Sequence, residues 1–405
     1  MNRIELCVEA HDLLATQLQA CFLAAQEVGL APLSLTIAHN IDSNLFACQV
    51  VTEDNRYYIQ PQFTGDTSIT GEFDIAIRYG VKPANCEGDD SKVAHLYIGV
   101  AGSDKYLDIC RFADGRTVKV AQKQGIDKAN YLRHYCWFLT AIAQGFPVED
   151  ALVIARLALK HIDVSRETWP SDPLSFQELS TLEPQMNGLF PNIQREEMKL
   201  YPVVSSLAWL ETLLQRGIKT LQLRIKEGSE KDIELAITKA ILLGRQFKAQ
   251  LFINDYWQLA IKHGAYGVHL GQEDLIDADL QAINQAGLRL GISTHGYYEL
   301  LRATQYKPSY IALGHIFATT TKQMPSKPQG VTKLGLYQQC VGSRYPTVAI
   351  GGIDLDNAQQ VWQTGVSSLA VVRAITLADD IQLAIDSFYQ VMTPERVEPQ
   401  LVLSE

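Results

Sequence analysis

The 405-residue chain carries 35 Lys and Arg residues against 45 Asp and Glu residues, a formal net charge of −10. This balance gives no overall electrostatic support for binding nucleic acid or an anionic membrane. Hydrophobic residues make up 47% and charged residues 20%, which is typical of a globular protein with enough apolar material for two domain cores. The seven cysteines are scattered and no long apolar run occurs, so the sequence predicts a cytoplasmic protein with reduced thiols and no membrane partner.

The first 165 residues predict a mixed α/β domain. Residues 4–29 have the periodicity of one long helix, and residues 132–162 that of two helices joined at "GFP" (145–147). Runs rich in apolar and β-branched residues predict strands at 33–39, 45–53, 56–63 and 95–101.

Residues 166–198 predict a connection between two domains. The segment contains prolines at 170, 173, 184 and 191, and proline interrupts periodic structure. Its aromatic residues Trp169, Phe176 and Phe190 give it apolar surface with which to pack onto a domain.

Residues 199–395 predict a barrel, followed by a tail at 396–405. Short apolar strands alternate with helices eight times, which indicates a parallel sheet closed as a (β/α)8 TIM barrel. An open, doubly wound sheet is the structural alternative. The predicted strands are 200–205, 220–225, 250–254, 266–270, 288–293, 310–315, 346–352 and 367–372.

The active site of such a barrel lies at the C-terminal ends of its strands. Polar residues and glycines follow seven of the eight predicted strands, so we expect them to share one rim. They are Arg224, Lys226, Asn254, Asp255, His269, Gln272, Glu273, Asp274, Ser293, Thr294, His295, Thr319, Thr321, Lys322, Gly351, Gly352 and Arg373.

These residue types suit two anion sites, one of them with a metal ion. Asp255 and Asp274 offer carboxylate oxygens, and Mg²⁺ typically binds one or two carboxylates and completes its coordination shell with water or substrate phosphates. The cationic side chains suit phosphate or diphosphate oxygens, and "IGGI" (350–353) offers backbone N–H groups to a second phosphate. Each of these residues, taken alone, also has an interpretation without a functional role. Asp255 would belong to a turn or helix cap, His269 would be a hydrogen-bonded wall residue, and His295 would be a surface or capping residue.

The motifs "LQLRIKE" (221–227), "HLGQED" (269–274) and "TTTKQMP" (319–325) resemble those of thiamine phosphate synthase. The resemblance extends over residues 200–390 and includes "GISTH", "VAIGGI" and "AVVRAI". It implies a transferase of thiamine biosynthesis with two small-molecule substrates. The enzyme would join the hydroxymethylpyrimidine group, taken from its diphosphate, to the thiazole phosphate in a Mg²⁺-dependent, dissociative reaction.

The resemblance also implies residue roles. Arg224, Lys226, Ser293 and Lys322 would be catalytic around the diphosphate, and Asp255 and Asp274 would hold Mg²⁺. The resemblance also implies that Asn254 meets the pyrimidine ring and that the thiazole phosphate is bound by Thr319, Thr321, Gly352, Val372 and Arg373. Gln222 and Thr320 are further implied substrate-binding residues. The chain departs from the family where Ala318 replaces the usual proline and Arg373 the usual serine.

The stretch 138–170 resembles the last two helices of hydroxymethylpyrimidine phosphate kinases, which have a ribokinase-like fold. The glycine-rich anion hole of those kinases would fall on 129–132, where the sequence is "ANYL" without glycine. The resemblance therefore implies a degenerate ribokinase-like domain with a structural or regulatory role. The alternatives are a bifunctional kinase–synthase and a regulatory or tautomerase paralogue of the synthase. A homo-oligomer stays an open alternative.

Overall fold

The computed structural model describes residues 2–7, 12–38, 46–63, 72–83, 92–160, 166–183, 186, 188–319 and 327–393. The chain divides into two compact units. The first comprises Met1–Pro184 with Gly296–Arg302, and the second comprises Gln185–His295 with Ala303–Glu405. Among the described helices, none combines the length and the apolar character needed to cross a bilayer.

The first unit contains a mixed sheet of eight strands in the order β2-β1-β3-β4-β5-β6-β7-β8. The pairs β1–β2, β4–β5 and β5–β6 are parallel, and the other neighbours are antiparallel. The strands are β1 (Arg3–Cys7), β2 (Ser34–Ala38), β3 (Cys48–Val51), β4 (Arg56–Gln62), β5 (Ile75–Tyr79), β6 (Ala94–Ala101), β7 (Tyr106–Arg111) and β8 (Thr117–Gln122). The helices are α1 (Asp12–Glu27), α2 (Tyr131–Ala143), α3 (Val148–Ala158) and α4 (Pro173–Glu178).

The prediction of one long helix over 4–29 is wrong at its start. Arg3–Cys7 forms β1, which pairs with both β2 and β3, and the helix begins at Asp12. Ile4 and Leu6 are buried at alternate positions, so the period-two pattern prevails in this segment. The four predicted strands and the pair of helices around residue 145 are confirmed. Strands β5, β7 and β8 were not predicted.

A buried ion pair lies in the first unit. The Arg156 guanidinium donates to both carboxylate oxygens of Asp108, and the side chains are 1% and 0% exposed. His134 lies 4.0 Å from the same carboxylate. Burial lowers the pKa of His134 to about 3, so the ring stays neutral and Asp108 pairs with Arg156 alone.

The proline-rich segment packs onto the units, as its aromatic residues predict. Trp169 and Phe176 are buried in the first unit, where the Trp169 ring lies 5.6 Å from the rings of both Trp137 and Phe146. Phe190 is buried in the second unit.

The second unit contains a closed barrel of eight parallel strands, which confirms the predicted architecture. The strand order is β10-β11-β12-β13-β14-β15-β16-β9, and Leu369 of the last strand pairs with Leu200 of the first. The strands are β9 (Leu200–Val204), β10 (Thr220–Leu223), β11 (Gln250–Asn254), β12 (Gly267–Leu270), β13 (Arg289–Thr294), β14 (Tyr310–Gly314), β15 (Thr347–Ile350) and β16 (Ser368–Val371). The open doubly wound alternative is thereby excluded for this part of the chain.

Helices follow the strands, and several of them begin at side-chain caps. Ser206, Ser229 and Asp380 each accept a hydrogen bond from a backbone N–H in the first helical turn. The helices are α5 (Leu207–Gln215), α6 (Glu230–Gln246), α7 (Trp257–His263), α8 (Asp274–Asp277), α9 (Leu280–Gln285), α10 (Tyr297–Gln305), α11 (Gly330–Val341), α12 (Ala358–Gln363), α13 (Arg373–Thr376) and α14 (Ile381–Val391). The short helices α8 and α13 were not predicted, and both begin at residues implicated in the site.

Candidate active site

A cavity of about 570 Å³ lies at the C-terminal ends of the barrel strands. Its size is in the range that small-molecule sites occupy. Eleven of the residues expected at the site line it: Gln222, Arg224, Lys226, Asn254, Asp255, Asp274, Ser293, Thr319, Gly352, Val372 and Arg373. The other three, Thr320, Thr321 and Lys322, lie outside the described residues.

Two carboxylates and a lysine form one side of the cavity. Lys226 Nζ lies 2.5 Å from an Asp255 carboxylate oxygen, and the Gly271 N–H donates to Asp274 at 2.9 Å. Burial raises the pKa of Asp274, and the neighbouring charge of Asp255 raises it further. The carboxylates are therefore close enough to repel each other, which is the situation that a bound cation relieves.

The backbone of Asp255 is in the left-handed region, with φ of +65°. A non-glycine residue rarely adopts this conformation, although Asp and Asn tolerate it best. The Asp255 N–H donates to the His269 carbonyl at 3.0 Å, which fixes the turn after β11. This turn directs the carboxylate toward Lys226.

The donor set fits Mg²⁺ rather than a metal held by protein ligands alone. Among the described residues, no group of three or more His, Cys, Asp or Glu side chains is arranged to hold a metal ion. Mg²⁺ commonly takes one or two carboxylates and completes its shell with water and substrate phosphate oxygens. Asp255 and Asp274 supply that number of carboxylates beside the cationic side chains.

Asn254 presents a polar group that lacks a protein partner. The side chain is 6% exposed, and its amide nitrogen makes no hydrogen bond within the described structure. A buried donor without a partner costs about 1–3 kcal/mol, so a ligand that accepts from it is favoured.

Two glycines allow a close backbone approach on the opposite side of the cavity. Gly351 and Gly352 follow β15 with φ of +106° and +64°. A Cβ atom on Gly352 would lie 2.6 Å from the Ala318 carbonyl oxygen. Thr319 and Arg373 complete this side, and Arg373 is exposed while it lines the cavity. Backbone N–H groups and a guanidinium there can bind a phosphate.

His295, expected on the rim with a surface or capping role as the alternative, is partly exposed and lines the cavity. His315, which was not singled out, also lines it and is buried. Burial lowers the pKa of His315, and the charge of His295 lowers it further. Its position directly after β14 is the signal that would have identified it. His269 is confirmed as a hydrogen-bonded wall residue.

The barrel half of the chain matches known proteins. A family model described as thiamine monophosphate synthase (TMP-TENI) matches residues 199–375. A thiamine-phosphate synthase of Yersinia pseudotuberculosis is 60% identical over 195 residues, which are 48% of this chain and 90% of that protein. One of Photorhabdus laumondii is 63% identical over 181 residues, 45% of this chain and 83% of that protein. The structure of a thiamine phosphate pyrophosphorylase from Pyrococcus furiosus aligns with 27% identity and a TM-score of 0.44, over 49% of this chain and 96% of that one.

Proposed function

Because the chain belongs to the thiamine-phosphate synthase family, we propose that it joins the hydroxymethylpyrimidine group, taken from its diphosphate, to thiazole phosphate. The products are thiamine phosphate and diphosphate. One observation carries the proposal: all eleven of the implied catalytic, substrate-binding and metal-binding residues within the described structure line the same cavity. That cavity offers two separate places for anions, as a reaction between a diphosphate and a phosphate requires.

The reaction proceeds by departure of the diphosphate. The bond between the pyrimidine methylene carbon and the diphosphate oxygen breaks, and both electrons leave with the diphosphate. The thiazole nitrogen then forms the new C–N bond with its lone pair, so no proton has to be removed. Arg224 and Lys226 stabilise the charge that develops on the leaving group, because they are positioned before the reaction begins. Lys322, outside the described residues, is proposed as a third cation.

Asp255 and Asp274 would hold a Mg²⁺ ion, which would neutralise part of the diphosphate charge and make that group easier to displace. Lys226 lies against Asp255 and lines the same cavity, so it is placed to bind the diphosphate oxygens. Ser293 adds a hydroxyl on the same side of the cavity.

The remaining residues orient the two substrates. Asn254 donates its unpartnered amide hydrogens to the pyrimidine ring, and Gln222 lies beside it on the neighbouring strand. Gly352, Val372, Arg373 and Thr319 bind the thiazole phosphate, with Thr320 and Thr321 proposed as further contacts.

We further propose that residues 1–165 are a degenerate ribokinase-like domain, joined by 166–198 to a synthase barrel at 199–395, in a cytoplasmic protein. Lys128–Asn130 forms a 3₁₀ turn directly before α2, and α2 begins at Tyr131. The Tyr131 ring packs on Tyr79 with centroids 4.6 Å apart. Aromatic rings thus lie where the kinase resemblance requires glycine, which supports a structural or regulatory role.

The deciding experiment is an assay of the purified full chain with both phosphorylated precursors, with and without Mg²⁺. We expect thiamine phosphate and diphosphate in equal amounts, and only with Mg²⁺. Absence of thiamine phosphate under both conditions would contradict the synthase activity. The same preparation should not phosphorylate hydroxymethylpyrimidine or its phosphate with ATP. ATP-dependent turnover would establish the bifunctional alternative instead.

A further inference from the structure

A continuous chain of side-chain hydrogen bonds crosses the barrel interior beneath the cavity. Gln222 Nε2 donates to the Tyr201 hydroxyl at 3.3 Å, and the Tyr201 and Tyr310 hydroxyl oxygens are 2.8 Å apart. The Tyr310 hydroxyl lies 2.7 Å from His269 Nδ1. His269 Nε2 lies 2.8 Å from Ser293 Oγ. We call these five residues the relay.

The relay lies in an apolar environment. Tyr201 and Tyr310 belong to a buried core cluster with Phe252 and Val348, and both phenols are at most 1% exposed. Burial raises the pKa of both phenols, so each keeps its proton. Few water molecules can compete for such hydrogen bonds, and the direction of each bond is therefore set by its neighbours.

The direction in which each hydroxyl donates its proton follows from Gln222, the first residue of the relay. An amide nitrogen only donates, so the Tyr201 oxygen accepts from Gln222. Within the described residues the Tyr310 oxygen is the only acceptor left for the Tyr201 proton, so Tyr201 donates to Tyr310 and Tyr310 donates to His269 Nδ1. Because Nδ1 accepts, the imidazole carries its proton on Nε2 and donates it to Ser293 Oγ.

We propose that Tyr310 is a positioning residue, which holds His269 in the Nε2–H tautomer so that the Ser293 hydroxyl donates into the cavity. Ser293 lines the cavity, and its oxygen lies 2.8 Å from His269 Nε2, from which it accepts in this direction of the relay. Its own proton is then available to an anionic ligand. The opposite direction would turn the Ser293 lone pairs toward that anion and repel it. The identity of the anion as the substrate diphosphate rests on the proposed function.

The tautomer is measured directly by NMR on the full chain with ¹⁵N-labelled histidine at pH 8. The His269 resonances are assigned by their loss in His269→Gln. We expect the proton on Nε2 in the unmodified protein. In Tyr310→Phe, which removes the donor to Nδ1, the Nδ1–H tautomer should appear. Tyr201→Phe removes the link to Gln222 that sets the direction, so the Nδ1–H tautomer should appear in that variant as well. Tyr266→Phe is the matched control, because its hydroxyl donates to Gln250 outside the relay and the tautomer should stay unchanged. A proton on Nδ1 in the unmodified protein would overturn the proposal.

Kinetics then test whether Tyr310 acts through Ser293. Tyr310→Phe should lower kcat about 10- to 100-fold, the effect of losing one hydrogen bond to a charged group. The effect on KM for the thiazole phosphate should be small, since that substrate binds across the cavity. In a Ser293→Ala background, Tyr310→Phe should have almost no further effect.

An equal loss in both backgrounds would mean that Tyr310 only supports the barrel, which refutes the positioning role. If the unmodified chain made no thiamine phosphate, the synthase assignment would fail, while the tautomer measurement would still decide the direction of the relay.

Discussion

Replacing Gly352 with alanine tests the close backbone approach at the proposed thiazole-phosphate side. The new Cβ would lie 2.6 Å from the Ala318 carbonyl oxygen and 2.8 Å from Phe317 Cβ, both closer than van der Waals contact. Alanine at φ of +64° costs about 1 kcal/mol, and the overpacking adds about 1–3 kcal/mol. We therefore expect Gly352→Ala to lower the free energy of unfolding by about 2–4 kcal/mol, measured by urea denaturation at 25 °C.

The same substitution should weaken the binding of one substrate more than that of the other. Relief of the clash moves the backbone after β15, so KM for the thiazole phosphate should rise while KM for the pyrimidine diphosphate changes little. Gly335→Ala is the control, because its Cβ would meet nothing within 4 Å in α11. That variant should be more stable by about 0.5–1 kcal/mol and fully active. Unchanged stability and KM in Gly352→Ala would refute the reasoning.

Three further predictions concern charged residues. Asp255→Asn keeps a residue that tolerates φ of +65° but removes the negative charge. Turnover should fall about 100-fold, while the melting temperature stays nearly unchanged. Wild-type turnover in this variant would contradict the role of the carboxylate. Burial raises the pKa of Asp150 to about 7, whereas the unfolded chain ionises near 3.8, so stability should fall as pH rises from 4 to 7. Urea denaturation between pH 4 and 7 should show that the free energy of unfolding falls by about 4 kcal/mol less in Asp150→Asn than in the unmodified protein. An equal fall in the two proteins would contradict this prediction. Arg156→Met leaves a buried carboxylate uncompensated and should cost about 3–5 kcal/mol in urea denaturation. Arg116→Met breaks only an exposed pair and should cost less than about 1 kcal/mol, so equal losses would count against the buried pair.

The barrel and most of its rim could be predicted from the sequence because both follow from the regular alternation of apolar strands and helices. Each buried strand reads as a short apolar run, and the residue after it must lie at the C-terminal end of the barrel. Asp255 and Asp274 were found in this way. His315 also obeys the rule, but the apolar pattern places it inside the predicted strand 310–315, whereas β14 ends at Gly314.

Other features could not be predicted because they depend on contacts between distant residues. The first strand was read as helix, since the pairing of Arg3–Cys7 with two other strands is not visible locally. The relay joins Tyr201 to Tyr310 and His269, which lie in three different strands, and in sequence the two tyrosines look like ordinary core residues. Only the closed barrel brings their polar atoms together.

Closure of the barrel by its first and last strands has a consequence for synthesis on the ribosome. About 170 residues separate the paired Leu200 and Leu369, so at 5–20 residues per second the edge of β9 waits roughly 10–30 s for its partner β16. During that interval the unpaired backbone N–H and C=O groups along the edge of β9, an apolar strand, can pair with other chains. Nascent chains of this protein are therefore most prone to misassociation before β16 has emerged, and a stall in translation just upstream of residue 368 should increase aggregation.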